Sequence, residues 1–69
     1  MNRNQIEGRW SELRGEAKRR WARLTDDDLA EIDGDRQTLI GRIQARYGNT
    51  KQDVERAVER WQREVERPQ

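Results

Sequence analysis

Carboxylates set close together can hold a divalent cation or divide acid and base roles between them. The densest such group in this sequence is Asp26-Asp27-Asp28 with Glu31. Its spacing does not fit a calcium loop, and no second acidic cluster accompanies it. Helix capping accounts for it instead, because carboxylates in a first turn suit the positive end of a helix dipole. Acid–base catalysis would need a pocket that drives two pKa values apart, and a short polar chain has little room for one. The chain has no Cys and no His. Disulfides, thiolate nucleophiles, Cys/His zinc sites and imidazole chemistry are thereby excluded. No catalytic residue, metal ligand or cofactor is assigned, and an enzyme is not expected.

A second group is basic: Lys18, Arg19, Arg20 and Arg23, with Arg3, Arg9 and Arg14. Gathered on one face, such charge would attract nucleic acid or an anionic membrane. A helical wheel spreads it around everything except the apolar stripe, and Trp10 and Trp21 fall inside that stripe. A solvated helix surface is the preferred reading. Membrane binding would require this helix to leave the bundle and insert its core face. No partner is assigned on either ground.

Glycines form the third group. Gly8, Gly15 and Gly41 fall inside expected helices, where each costs ~0.5–1 kcal/mol relative to Ala. Gly8, Gly15 and Ala22 recur at intervals of seven, on a face opposite the apolar stripe, and Gly41 sits similarly on a later helix. Small residues off the core permit close approach by another helix. A contact surface for self-association or a partner is expected at Gly8, Gly15, Ala22 and Gly41, against the alternative of a local kink or tolerated surface glycines.

The elements that carry these groups read as helices throughout. Ile6, Trp10, Leu13, Ala17, Trp21 and Leu24 recur at steps of three and four, which predicts an amphipathic helix from about Asn4 to Leu24. Asn2 or Asn4 would cap it. Thr25 and Asp28 form a capping box that opens a short second helix, with Leu29 and Ile32 inward and Gly34 as its left-handed end. A third helix covers Arg36 to Tyr47, burying Leu39, Ile40, Ile43 and Tyr47, and stops at Gly48. A fourth opens at Thr50 with Asp53 in a second capping box. Its stripe is Val54, Val58, Trp61 and Val65. Glu59 and Arg63 pair along it, and Pro68 prevents extension. No segment alternates with period two, so no strand is expected.

The expected fold is all-α: one domain over residues 1–69, an array of three to four amphipathic helices with the second short. Leu13–Trp21 echoes Leu39–Tyr47 as Leu-x-Gly-x-apolar-x-x-Arg-aromatic. A capping box follows each copy, which suggests two pseudo-repeated helix hairpins.

Composition sets the limits. Charged residues make up 42% of the 69-residue chain and hydrophobic ones 30%, with a net charge of only +1. That mix lies near the boundary of disorder, so the three Trp must carry much of the burial. Charge falls in blocks: net positive over 1–24, negative over 25–35, positive over 36–48 and balanced over 49–69. No stretch is apolar enough to span a bilayer, and the first residues lack a signal peptide's apolar segment. A cytoplasmic address is expected.

With these residues laid out, the chain resembles the CsbD-like family of small bacterial stress-response proteins. The resemblance rests on Gly8-Arg9-Trp10, Leu13-Arg14-Gly15, Trp21-Ala22-Arg23-Leu24-Thr25-Asp26-Asp27-Asp28-Leu29, Ile32-Asp33-Gly34 and Leu39-Ile40-Gly41-Arg42-Ile43-Gln44-Ala45-Arg46-Tyr47-Gly48. It implies a small helical array, in a bacterial cytosolic protein accumulated under general, osmotic or stationary-phase stress. It implies no catalytic activity or cofactor, so no site residue is carried over. The chain departs from the family where Ala22 replaces Gly, where Asp35 replaces a basic residue, and where Arg largely replaces Lys.

Overall fold

The first apolar stripe folds as two helices, not one. The computed structural model describes the backbone of residues 3–66 and the side chains of residues 6–65. α1 spans Arg3–Gly8 and α2 spans Trp10–Arg20. α3 (Asp26–Ile32), α4 (Arg36–Tyr47) and α5 (Lys51–Glu66) follow. No strand occurs among the described residues. The all-α expectation holds, with five helical segments where three to four were expected.

The continuous helix expected from Asn4 to Leu24 is interrupted at Arg9 and ends at Arg20. Gly8 weakens the helix on one side of the break. Arg9 takes φ −118° and ψ 15°, and its N–H donates to Ile6 O at 3.3 Å, a tighter turn than the α-helical one. At the other end Trp21 N–H donates to Ala17 O at 2.8 Å and closes α2. Trp21 itself leaves the helical region (φ −124°, ψ 81°), and four residues on Thr25, the cap of α3, is extended (φ −89°, ψ 167°). Burial survives both corrections: Ile6, Trp10, Leu13, Ala17, Trp21 and Leu24 are all buried. Asn4 lies within α1 instead of capping it. Asn2 and Pro68 lie outside the described residues.

The later elements start and stop as their local chemistry requires. Thr25 Oγ1 accepts from Asp28 N–H, and Asp28 Oδ2 accepts from Thr25 N–H, both at 3.0 Å, completing the capping box of α3. Two residues, not Gly34 alone, turn left-handed at its end: Asp33 at φ 43° and Gly34 at φ 85°. Asp35 Oδ2 then caps α4, accepting from Thr38 N–H at 3.0 Å and Thr38 Oγ1 at 2.6 Å. Gly48 ends α4 at φ 74°, its N–H on Gln44 O. At the start of α5, Thr50 Oγ1 accepts from Asp53 N–H at 3.2 Å, the first bond of the expected second box.

One apolar cluster joins all five segments. Leu39, Ile40 and Ile43 of α4 and Val54, Val58 and Trp61 of α5 meet the first stripe there, while Tyr47 and Val65 are only partly buried. Two indoles tie α2 and its end to the rest. Trp10 Nε1 donates to Leu29 O at 3.2 Å. Trp21 meets Trp61 edge-on, with ring centroids 5.3 Å apart, a favoured aromatic geometry.

Shifting the sequence by twenty-six residues places Trp10–Arg20 on Arg36–Arg46, and Ile6-Glu7-Gly8 on Ile32-Asp33-Gly34. The repeated unit is therefore a short helix followed by a longer one, α1–α2 and then α3–α4, with α5 added. The linkers differ, however. Gly34 has a positive φ and Gly8 does not, so one joint is a sharp turn and the other a kink.

Candidate functional site

The acidic run of α3 sends its three carboxylates in different directions. Asp26 pairs with Lys18 at 3.5 Å in an exposed contact. Asp27 is exposed, and Asp28 points inward with 2% of its surface accessible. The Arg46 guanidinium grips Asp28 with two donors, Nε to Oδ2 at 2.8 Å and Nη2 to Oδ1 at 3.0 Å. Arg42 Nη1 lies 3.7 Å from Asp28 Oδ1, and its other nitrogen bonds Glu31. Such forked pairs are strong and directional. The bonds from Arg46, then the N–H of Thr25, hold the Asp28 carboxyl well below the usual carboxylate range, against an opposing push from burial. The group is thus fixed as an anion and committed to structure. It is neither poised for proton transfer nor open to a cation. Among the described residues, no group of three or more acidic side chains converges to hold a metal ion.

This Asp28–Arg46 joint between α3 and α4 is absent from the local reading of the sequence. Thr25 and Asp28 are recognisable as a box, but nothing nearby marks Arg46 as a partner. The repeat offers one clue: Arg46 and Arg20 occupy equivalent positions. Arg20 instead lies over the Trp21 ring at 5.8 Å.

The basic residues of α2 are distributed between pairs and solvent. Arg9 pairs with Glu12 and Arg19 with Glu16, both across exposed helix surface. Arg23, in the turn after α2, closes over the end of α4. Its backbone N–H donates to Tyr47 Oη at 3.1 Å, and its guanidinium lies 5.3 Å from the centre of the Tyr47 ring. On α5, Arg63 and Glu59 pair at 2.9 Å as expected. Gln62, buried on the same helix, accepts from Arg36 Nε at 3.3 Å, while its amide nitrogen has no partner.

The four small residues of the expected contact surface fall on separate elements. Gly8 ends α1, Gly15 lies within α2, Ala22 sits in the turn before α3, and Gly41 lies within α4. The continuous helix that aligned the first three is divided at Arg9. A Cβ at Gly8, Gly15 or Gly41 would meet nothing within 4 Å, so their own fold does not require glycine there. Gly15→Ala and Gly41→Ala are each expected to stabilise the protein by ~0.5–1 kcal/mol through helix propensity. Denaturant midpoints measure this directly. A change of oligomeric state on sedimentation, with stability raised, would mark the positions as a contact.

Taken together, these features define a small, charged, all-α protein whose most elaborate polar group is a structural joint. No helix among the described residues is long and apolar enough to cross a membrane. The CsbD-like family model matches residues 4–56. The chain belongs to that family of small bacterial stress-response proteins. It is 48% identical over 62 residues to UPF0337 protein ECA0631 of Pectobacterium atrosepticum, covering 90% of each chain. It is 42% identical over 62 residues to UPF0337 protein YjbJ of Escherichia coli K12, again covering 90% of each. A relative in Protochlamydia amoebophila, UPF0337 protein pc0632, is 45% identical over 56 residues, covering 81% of this chain and 85% of its own. No solved structure gives a significant match.

Proposed function

We propose that this chain acts in the cytoplasm as a non-enzymatic protectant during stress, spacing and coating other macromolecules with its charged exterior. The observation that carries this reading is the sorting of its side chains. Among the described residues no large hydrophobic side chain is exposed. The exterior mixes cations and carboxylates, fifteen against fourteen over the whole chain. A surface without exposed apolar patches resists sticking to other proteins.

Drying or heating unrelated enzymes with graded amounts of the protein tests this. Residual activity is expected to rise with mass concentration, without saturating at a fixed ratio, and to be the same for the Gly15→Ala/Gly41→Ala double variant. Protection no better than an equal mass of another small folded protein would remove the reading. Saturable binding to one protein, lost in the double variant, would replace it with an adaptor role.

A further inference from the structure

α2 and its N-cap carry cations along both edges of the buried face. On α2 the inward positions are Trp10, Leu13 and Ala17. Ile6 and Trp21 extend the strip at either end. At about 100° per residue, Arg14 lies beside this strip on one edge and Arg9 and Arg20 on the other. The structure agrees. Arg14 lines a crevice with Leu29 and Asp26 of α3. Arg9 and Arg20 line another with Trp61 and Glu64 of α5. Neither Arg14 nor Arg20 has a carboxylate partner among the described residues. From Ile6 to Arg23 there are six cations and three carboxylates.

The attachment of this arm differs from that of the remainder. α3 and α4 are joined by the forked Asp28–Arg46 pair. The chain is fixed to the end of α4 from Arg23 onward by Tyr47, and to α3 by the Thr25 cap. Before Ala22 the arm is held mainly by apolar packing, including α1 against Gly34 and Trp21 against Trp61, together with the Trp10 indole bond to Leu29 O and the exposed Lys18–Asp26 pair. Trp21–Ala22 thus joins an arm held mainly by apolar packing to a framework tied by the buried Asp28 carboxylate.

We propose that the α1–α2 arm binds anionic lipid surfaces. It swings about Trp21–Ala22 and lays Ile6, Trp10, Leu13 and Ala17 into the headgroup boundary, with Arg9, Arg14 and Arg20 on the lipid phosphates. An apolar strip bearing Trp and bordered by cations is the pattern of an interfacial helix. The long Arg stems let the strip sink while the charges stay at phosphate level. Lipid fits better than nucleic acid because the tryptophans lie within the apolar strip, where a bilayer accepts them and a phosphodiester groove does not. The opening costs no more than global unfolding, which is small for a chain this short. This interaction is separate from the protectant reading and does not depend on it.

Vesicles of phosphatidylglycerol, with pure phosphatidylcholine as control, test the full chain by co-sedimentation, quenching of tryptophan by brominated acyl chains, and hydrogen exchange. Expected are salt-sensitive binding to phosphatidylglycerol only, tryptophan quenching, and altered protection in α2. Arg14→Gln with Arg20→Gln is expected to weaken binding by about tenfold or more while the free protein's thermal midpoint stays in place. No binding at low salt overturns the proposal. So does binding without quenching, which would be adhesion of the closed bundle. Duplex DNA binding of equal strength and equal sensitivity to the double variant would assign the edge cations to nucleic acid instead.

Discussion

Gly34→Ala is expected to undock α1 and to lower stability by ~2–4 kcal/mol, the largest effect of any single methyl group in this chain. Two independent penalties meet at this position. The backbone is left-handed at φ 85°, where an L side chain is strained. An added Cβ would also lie 2.7 Å from the Cα of Glu7, a backbone atom of α1 that cannot rotate away. Relief requires α1 to lift from the α3–α4 turn, which uncovers Ile6 and the flank of Trp10. A domain of this size has only ~3–5 kcal/mol to lose. Urea denaturation reads the loss as a lower midpoint, and hydrogen exchange should place it first in α1. An unchanged midpoint would show that the α1 contact with Gly34 does not form in solution. The contrast with Gly15 and Gly41 is sharp: the same substitution is expected to stabilise there and to disrupt here.

Asp28→Ala is expected to cost ~2–3 kcal/mol. It removes the acceptor of the Thr25 N–H and both bonds from Arg46 at once. The figure stays moderate because the Arg46 side chain is 42% exposed and regains water when its partner is lost. Arg46→Lys, which keeps the charge but not the fork, should be intermediate. The same joint fixes a pH dependence. The folded carboxyl titrates below its ordinary range, so the unfolded chain takes up the proton more readily. The stabilisation is therefore complete above the unfolded value of about 4 and is lost as pH falls below it. Denaturation midpoints followed into acid should fall for the wild type and stay flatter for Asp28→Asn. Parallel curves would mean that folding does not lower the Asp28 carboxyl below its unfolded value.

What the sequence shows of this fold depends on how far apart the deciding residues lie. The Thr25–Asp28 box is readable because its partners are three residues apart and their types determine the bonds. The buried stripe is readable because helical spacing alone selects Ile6, Trp10, Leu13 and Ala17. The break at Arg9 is different: Gly8 lowers the local preference for helix, but the contact of α1 with Gly34, far along the chain, accompanies the kink. Gly34 has an adequate local explanation as a helix cap, which hides its second role against Glu7. Asp28 and Arg46 are similarly masked, one by its capping box and the other by an apparently ordinary exposed helix position. Asp35 proves to be the cap of α4. The glycines that draw attention by breaking a helical rule, Gly8, Gly15 and Gly41, turn out to have free space around them.

The edge-on meeting of Trp21 and Trp61 also bears on how the protein is made. Forty residues separate the two rings along the chain, so Trp21 is synthesised well before its counterpart exists. The edge-on contact can form only once Trp61 has been translated and has cleared the exit tunnel. A stalled or truncated product ending before Trp61 lacks one half of this ring pair and leaves Trp21 without its edge-on cover.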